Sequence, residues 1–397
     1  MYCNQVFDLE TQYSPPYKLK QLLVYFLQLG TLGFGGPVAL VGFMHHDLVE
    51  ARAWISEAEY KEGLALAQLA PGPLAAQLAM YLGYVHYGVL GSSLAGLAFV
   101  LPSFVMVVLL GWAYTNFGGL VWIQAVFYGV SACVIGIIAH SAYKLSLKTL
   151  ARDRLLWFIF LVAGAWTVIT ESEAVWLFLL GGIITWFMKS PPRWLPSISS
   201  VSGVLLLAAT TLPTQASTLL SSIFWYFFQA GAFVFGSGLA IVPFLYAGVV
   251  KEHRWLTDTQ FVDAVAIAMI TPGPVVITTA FIGYLVAGFS GACVAAIATF
   301  LPAYLLTIIP APYFKRYGKL PSIAAFVSGV TAAATGAICG AVIVLGRRTL
   351  TDIPTVLLAI ATLAVLFNFK KIPEPIIVII AAIIGFLVYP LVHHFYA

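Results

Sequence analysis

The chain has 397 residues, 61% hydrophobic and 9% charged, with a formal net charge of +4. Soluble domains carry about 25% charged residues and roughly 45–50% apolar ones, so this composition excludes a soluble globular protein. No polar block offers room for a nucleotide-binding domain, and the small, dispersed charge makes no basic face for nucleic acid.

Residues 1–20 are polar, hold Asp8, Glu10, Lys18 and Lys20, lack the apolar core of a signal peptide, and read as a cytoplasmic tail. Apolar runs then predict thirteen membrane helices, at 21–44, 63–85, 88–112, 120–143, 155–170, 174–189, 201–216, 222–249, 262–286, 288–309, 322–346, 353–369 and 373–395. The expected fold is an all-α polytopic membrane protein. A first transmembrane unit covers 21–190 and a second 222–397, joined by a linker, 191–221, that holds the short helix 201–216. The four cysteines, Cys3, Cys133, Cys293 and Cys339, are scattered and suggest neither a disulfide framework nor a zinc site. No cofactor or metal is implied.

The two units repeat. Phe26-Leu27-Gln28-Leu29-Gly30-Thr31-Leu32-Gly33-Phe34-Gly35 aligns without a gap on Phe227-Phe228-Gln229-Ala230-Gly231-Ala232-Phe233-Val234-Phe235-Gly236. Trp54 matches Trp255, and Pro71-Gly72-Pro73 matches Pro272-Gly273-Pro274. One residue further out of step, Gly83-Tyr84 meets Gly283-Tyr284 and Leu101-Pro102 meets Leu301-Pro302. A register held this long means duplication.

Positive residues favour the cytoplasmic side of a membrane. With thirteen spans, fifteen of the nineteen Lys and Arg residues fall on the amino-terminal side. Making both Pro-Gly-Pro segments re-entrant weakens the split to twelve against seven. Thirteen spans put the amino terminus inside, the carboxyl terminus outside, and the repeats in inverted orientation, as in alternating-access transporters. The same count places Arg254 inside, and His45, His46 and Arg347 outside.

Ser56 with Glu59, and Thr257 with Gln260, fit the capping box that starts a helix. Each helix would run only to Pro-Gly-Pro, roughly 20 Å on, and stop inside the membrane. A second helix begins there, and its free amides and positive dipole end suit an anion. The competing reading is that Pro71, Gly72, Pro73 and Pro272, Gly273, Pro274 only kink helices for packing. Gly35, Gly36 and Pro37, with Gly236, Ser237 and Gly238, interrupt the first helix of each unit. They either unwind to offer amides to substrate or let helices pack closely. Gln77, Thr278 and Thr279 can hydrogen-bond oxyanion oxygens, or bond back to their own helix. Glu62 and Asp263 match each other and are candidates to carry a coupling ion, or are solvated interfacial residues. Arg52 and Arg254 can gather an anion at a mouth, or serve as interfacial anchors. No catalytic constellation or P-loop is present.

Phe34-Gly35-Gly36-Pro37, Trp54-Ile55-Ser56, Ala70-Pro71-Gly72-Pro73, Gly83-Tyr84 and Leu101-Pro102 resemble the signature of the chromate ion transporter family, in its long two-domain form. The second unit departs, with Gly238 where the first has Pro37 and Val234 where it has Gly33. The resemblance implies an inner-membrane protein that exports chromate, driven by the membrane potential or an ion gradient. Its expected partners are chromate or a similar oxyanion, the lipid bilayer and, admissibly, a second copy of the chain. The alternatives are a permease for another oxyanion such as sulfate, and a membrane enzyme or scaffold without transport.

Overall fold

The computed structural model describes residues 17–34, 36–117, 121–151, 153–171, 175–190, 219–232, 234, 241–312, 321–369, 372 and 374–395. Residues 1–16 of the expected tail and the helix at 201–216 lie outside the described residues, as do Gly35, Gly236, Ser237 and Gly238. Every regular element among the described residues is helical. The first half contains α1 (Leu19–Leu32), α2 (Gly36–Met44), α3 (Glu57–Leu69), α4 (Leu74–Phe117), α5 (Val121–Leu150), α6 (Arg154–Thr170) and α7 (Val175–Lys189). The second contains α8 (Leu219–Ala232), α9 (Ile241–Leu245), α10 (Asp258–Ile270), α11 (Thr278–Ile308), α12 (Pro321–Thr349), α13 (Ile353–Asn368) and α14 (Glu374–Phe395). Five helical segments are long and apolar enough to cross a membrane.

The expected spans 21–44 and 63–85 each fold back into a hairpin. Tyr17 stacks on Trp54 with ring centroids 4.9 Å apart, and its hydroxyl lies 2.7 Å from His86 Nδ1. His86 in turn lies 3.4 Å from Glu59. The start of α1, the start of α3 and residue 86 therefore share one end of the bundle. Helices α1 and α2 form one hairpin, and α3 with residues 74–87 forms another. At 1.5 Å per residue these limbs are about 20 Å long, too short to cross and long enough to reach mid-depth. The broken helices had been expected to pass through the membrane; instead the chain turns back at each break.

Two glycines make the next reversal. Gly88 has φ +57° and Gly288 has φ +63°, in the left-handed region that costs glycine little. The limbs on either side then pack through glycine, for a Cβ on Gly83 would lie 2.7 Å from Ala95 Cβ, and one on Gly283 2.7 Å from Ala295 Cβ. Residues 89–117 run on to the other end of the bundle. There the Tyr114 hydroxyl donates to Asp263, 2.7 Å away, near the start of α10.

The second half's hairpins thus open at that opposite end. Tyr226 of α8 packs against His253 and Trp255, so α8 and α9 also fold back within the expected span 222–249. The remaining helices link the two ends. Lys189 at the end of α7 pairs with Asp153 before α6 at the first end. Glu171 between them pairs with Lys251, 2.7 Å away, and with Arg348 at the second. The Lys251 hydrogen bond foremost, with Arg348 beside it, holds the Glu171 carboxyl below its ordinary range against the opposing effect of burial.

This overturns the expected placement of Arg254 and Arg347 on opposite sides. Arg348 bonds both oxygens of Asp258, at 2.8 and 3.0 Å, so the loop carrying Arg254 and the end of α12 share one end. His45 lies 2.8 Å from Glu57 at the other end, with Trp54.

Matching π-helical turns, His45–Ala51 and Tyr246–Glu252, close the first hairpin of each half. Such turns are rare, and nothing in the sequence marked them. The helix-start signals did hold. Ser56 accepts from Glu59 N at 3.3 Å and Thr257 from Gln260 N at 3.2 Å, with both reciprocal bonds formed.

Gly83→Val or Gly283→Val should force these limbs apart. Overpacking of this kind costs about 1–3 kcal/mol, so thermal melting of the purified protein should show each variant less stable than wild type.

Candidate functional site

Helix breaks from both halves meet midway along the bundle. Helix α1 ends near Phe99 and Pro102 of α4, where a Cβ on Gly30 would lie 3.3 Å from Pro102 Cγ. From there the two halves hold each other by a reciprocal exchange of backbone bonds. Gly72 N–H donates to the Val234 carbonyl at 2.5 Å, and Gly273 N–H donates to the Gly33 carbonyl at 3.1 Å. The Pro-Gly-Pro of each half thus satisfies a carbonyl in the broken first helix of the other.

Glycine is required at both positions. Gly72 has φ +144° and Gly273 φ +94°. A Cβ at Gly72 would lie 2.6 Å from Gln77 Cδ and 2.7 Å from Ala303 Cβ, and a Cβ at Gly273 would land on Ser103 Oγ. Ser103 and Ala303 are the repeat-related residues of the two halves. Ser103 is buried, and its hydroxyl donates to the Pro272 carbonyl at 2.7 Å. The sequence reading missed Ser103; a hydroxyl in an apolar run next to Pro102 was the available signal.

The breaks leave helix starts pointing into this layer. Gln77 N–H is bonded to the Pro73 carbonyl at 2.9 Å. The amides of Leu74, Ala75 and Ala76 precede that bond and have no acceptor within α4. All three residues are buried, Ala76 completely. In the second half the first such bond is Ile277 N–H to the Pro274 carbonyl at 3.0 Å, which leaves the amides of Val275 and Val276 ahead of it. Helix α2 starts at Gly36 in the same layer, with Pro37 at its second position. Each helix start carries roughly half a positive charge, so together they favour an anion without any basic side chain.

The other expected site residues divide. Gln77 is fully buried beside Gly72, and its Nε2 donates to the Pro71 carbonyl at 2.9 Å. Thr278 and Thr279 are buried, but their hydroxyls bond back to Val275 O at 2.7 Å and Val276 O at 3.0 Å. Arg52 lies away from the breaks, its guanidinium 4.8 Å from the Trp54 ring and 5.1 Å from the Tyr25 ring. Arg254 is exposed at the opposite end with φ +53°. Glu62 stands beside the Tyr81 hydroxyl. Asp263 is only 3% exposed and is bonded by Tyr114 and Ser131, two partners the sequence did not single out.

A bundle of membrane-length helices with broken helices meeting at mid-depth has the build of a multi-pass membrane transporter. Comparison with known proteins names the kind. The family model described as "Chromate transporter" matches residues 20–186 and again 221–386. A "Chromate transport protein" of Cupriavidus metallidurans is 66% identical over 96% of this chain and 96% of its own length. One of Pseudomonas aeruginosa is 33% identical over 95% and 94%. An "Uncharacterized transporter YwrB" of Bacillus subtilis, 32% identical, matches 41% of this chain and 85% of its own length, as a single unit would. No solved structure matches. The chain belongs to the chromate transporter family.

Gly273→Ala should destabilise the protein and abolish substrate binding, because its methyl collides with the Ser103 hydroxyl. Adding Ser103→Ala should restore part of both, leaving the strain of a positive φ. Melting and binding measurements on the two single variants and the double variant test this coupling.

Proposed function

We propose that the protein exports chromate from the cytoplasm by alternating access, with the four mid-depth breaks as its oxyanion site. The observation that carries this reading is the reciprocal Gly72–Val234 and Gly273–Gly33 bonding, which gathers buried helix starts from both halves in one layer. A divalent tetrahedral oxyanion suits such a layer, because amides and dipole ends offer several donors without a fixed positive side chain. Chromate itself comes from the family and the full-length relatives. Gly35, Gly36, Pro37, Gly236, Ser237 and Gly238 belong to the proposed site by sequence position, and Gln77 lines its wall. Arg52 and Arg254 act as anchors at the two mouths. The energy source in this reading is the membrane potential or an ion gradient.

The topology we infer has two inverted repeats, each with two re-entrant hairpins followed by four crossing helices. The end of α7 and the start of α8 lie at opposite ends of the bundle, and the sequence assigns one crossing, 201–216, to the linker between them. That makes nine crossings instead of thirteen. Arg52 and Lys61 then share a side with the amino terminus, while Lys251 and Arg254 share the other with Arg347 and Arg348. Fifteen of the nineteen basic residues again fall on one side, which is the cytoplasmic one by the positive-inside rule. The amino terminus is inside and the carboxyl terminus outside, in the bacterial inner membrane.

Single cysteines replacing Arg52 and Asp153 should label from the cytoplasmic side, and ones replacing Arg254 and Glu171 from outside. Labelling of positions 52 and 153 from opposite sides would restore thirteen spans and remove the hairpins.

The site is tested by Pro71→Ala with Pro73→Ala. Alanine supplies the missing donors and lets α3 run on. The protein should still fold, yet lose about 1.5–3 kcal/mol of anion binding per charge-assisted bond, roughly ten- to a hundredfold. Chromate binding and flux in vesicles measure it, with sulfate added as competitor. Normal binding by the folded variant would reduce Pro-Gly-Pro to a kink.

A further inference from the structure

Asp263 lies at the wall of a cavity of about 440 Å³ at the Arg348 end of the bundle. Its side chain is almost fully buried, and among the described residues its oxygens meet hydroxyls instead of a cation. Tyr114 donates to one at 2.7 Å and Ser131 to the other at 3.3 Å. The cavity's polar walls bring Gln124 and Tyr128 from α5, Arg348 from α12, Tyr389 from α14 and Asp258 from the start of α10. Arg348 is already held by Asp258 and Glu171, and Tyr128 by Asp352, so the cation lining this cavity is committed to other carboxylates.

A buried carboxylate without a cation is costly, and two hydroxyl donors offset only part of that cost. Taking up a proton removes the charge, and both hydroxyls also carry lone pairs that can accept from the acid. The cavity supplies the route for that proton. Along α10, Asp263 stands eight residues before Thr271, roughly 12 Å at the usual rise, so its charge acts on the break layer. Its counterpart Glu62 is less buried and sits by Tyr81 at the other end, so the device belongs to the second half.

We infer that Asp263 is a proton-binding site reached from the Arg348 end, and that its protonation sets the affinity of the mid-depth breaks for an oxyanion. The inference rests on the proposed anion site. An ionised carboxylate repels an anion held there; across roughly 12 Å, at an effective dielectric constant of about 20, the effect is roughly tenfold in affinity for a single charge and larger for a dianion. By linkage the anion raises the proton affinity of Asp263 by the same factor.

Two measurements on the full-length protein in lipid test this. Infrared difference spectra taken while lowering the pH, with no anion present, should show a carboxylic-acid band that Asp263→Asn lacks. In Tyr114→Phe the band should appear roughly one to two pH units higher, because the hydroxyl that favoured the carboxylate is gone. A spectrum unchanged in both variants overturns the inference. Chromate binding is then compared between wild type and Asp263→Asn, so that protonation of chromate itself cancels in the ratio. At a pH of about 8 the variant should bind at least tenfold more tightly, and at about 5 the two should converge. Equal affinities at both values overturn the link to the anion site. Absence of chromate binding by both proteins condemns the proposed function instead, and the infrared result still decides whether Asp263 takes up a proton.

Discussion

A backbone amide or carbonyl in the middle of a bilayer has no water to turn to, and each one left unpaired costs several kcal/mol. Among the described residues, α1, α3, α8 and α10 stop midway along the bundle. What makes such a fold tenable is the exchange between halves, in which Gly72 serves Val234 and Gly273 serves Gly33. Neither half can close its own breaks. Duplication with inversion supplies the missing partner, since hairpins coming from opposite ends bring their tips to one layer. The crossing helices around them exist to hold that meeting in place.

The same exchange explains why the layer suits an anion. The bonds that tie the halves use one amide per Pro-Gly-Pro and leave the helix-start amides behind it uncommitted. The prolines contribute no donor of their own, and their rings end α3 and α10 where the capping boxes had started them, one half-membrane earlier. The proposed site is a backbone arrangement, which side chains such as Ser103 and Gln77 hold. The basic residues Arg52 and Arg254 stay at the ends, so an anion in that layer would meet neither of these fixed cations.

The halves are related without being equivalent. Ser103 faces the second Pro-Gly-Pro and gives it a hydroxyl, whereas its counterpart Ala303 faces the first with a methyl group. Asp263 is sealed beneath Tyr114 and Ser131, whereas Glu62 is half-buried. At the Arg348 end, Lys251, Glu171, Asp258 and Arg348 form one charged cluster, while the other end relies on His45, His86 and their glutamates.

Much of this was legible in the residues alone. Composition determined an all-α membrane protein, because so few charges leave the chain no solvated surface. The repeat, the capping boxes at Ser56 and Thr257 and the breaks at Pro-Gly-Pro were local chemistry, and local chemistry can be read along a line. The path of the chain could not be read that way. An apolar stretch of 24 residues, such as 21–44, is long enough to cross, and hydropathy does not distinguish one helix from two half-helices folded together. Only contacts between distant residues, Tyr17 with Trp54 and Arg348 with Asp258, decided that the first helices turn back. They also moved Arg254 to the other end of the bundle and left the basic-residue bias unchanged, because Arg52 and Lys61 exchanged sides with Lys251 and Arg254. The partners of Gly72, Gly273 and Asp263 came from the opposite half, so tertiary structure alone could show how these buried polar groups are satisfied.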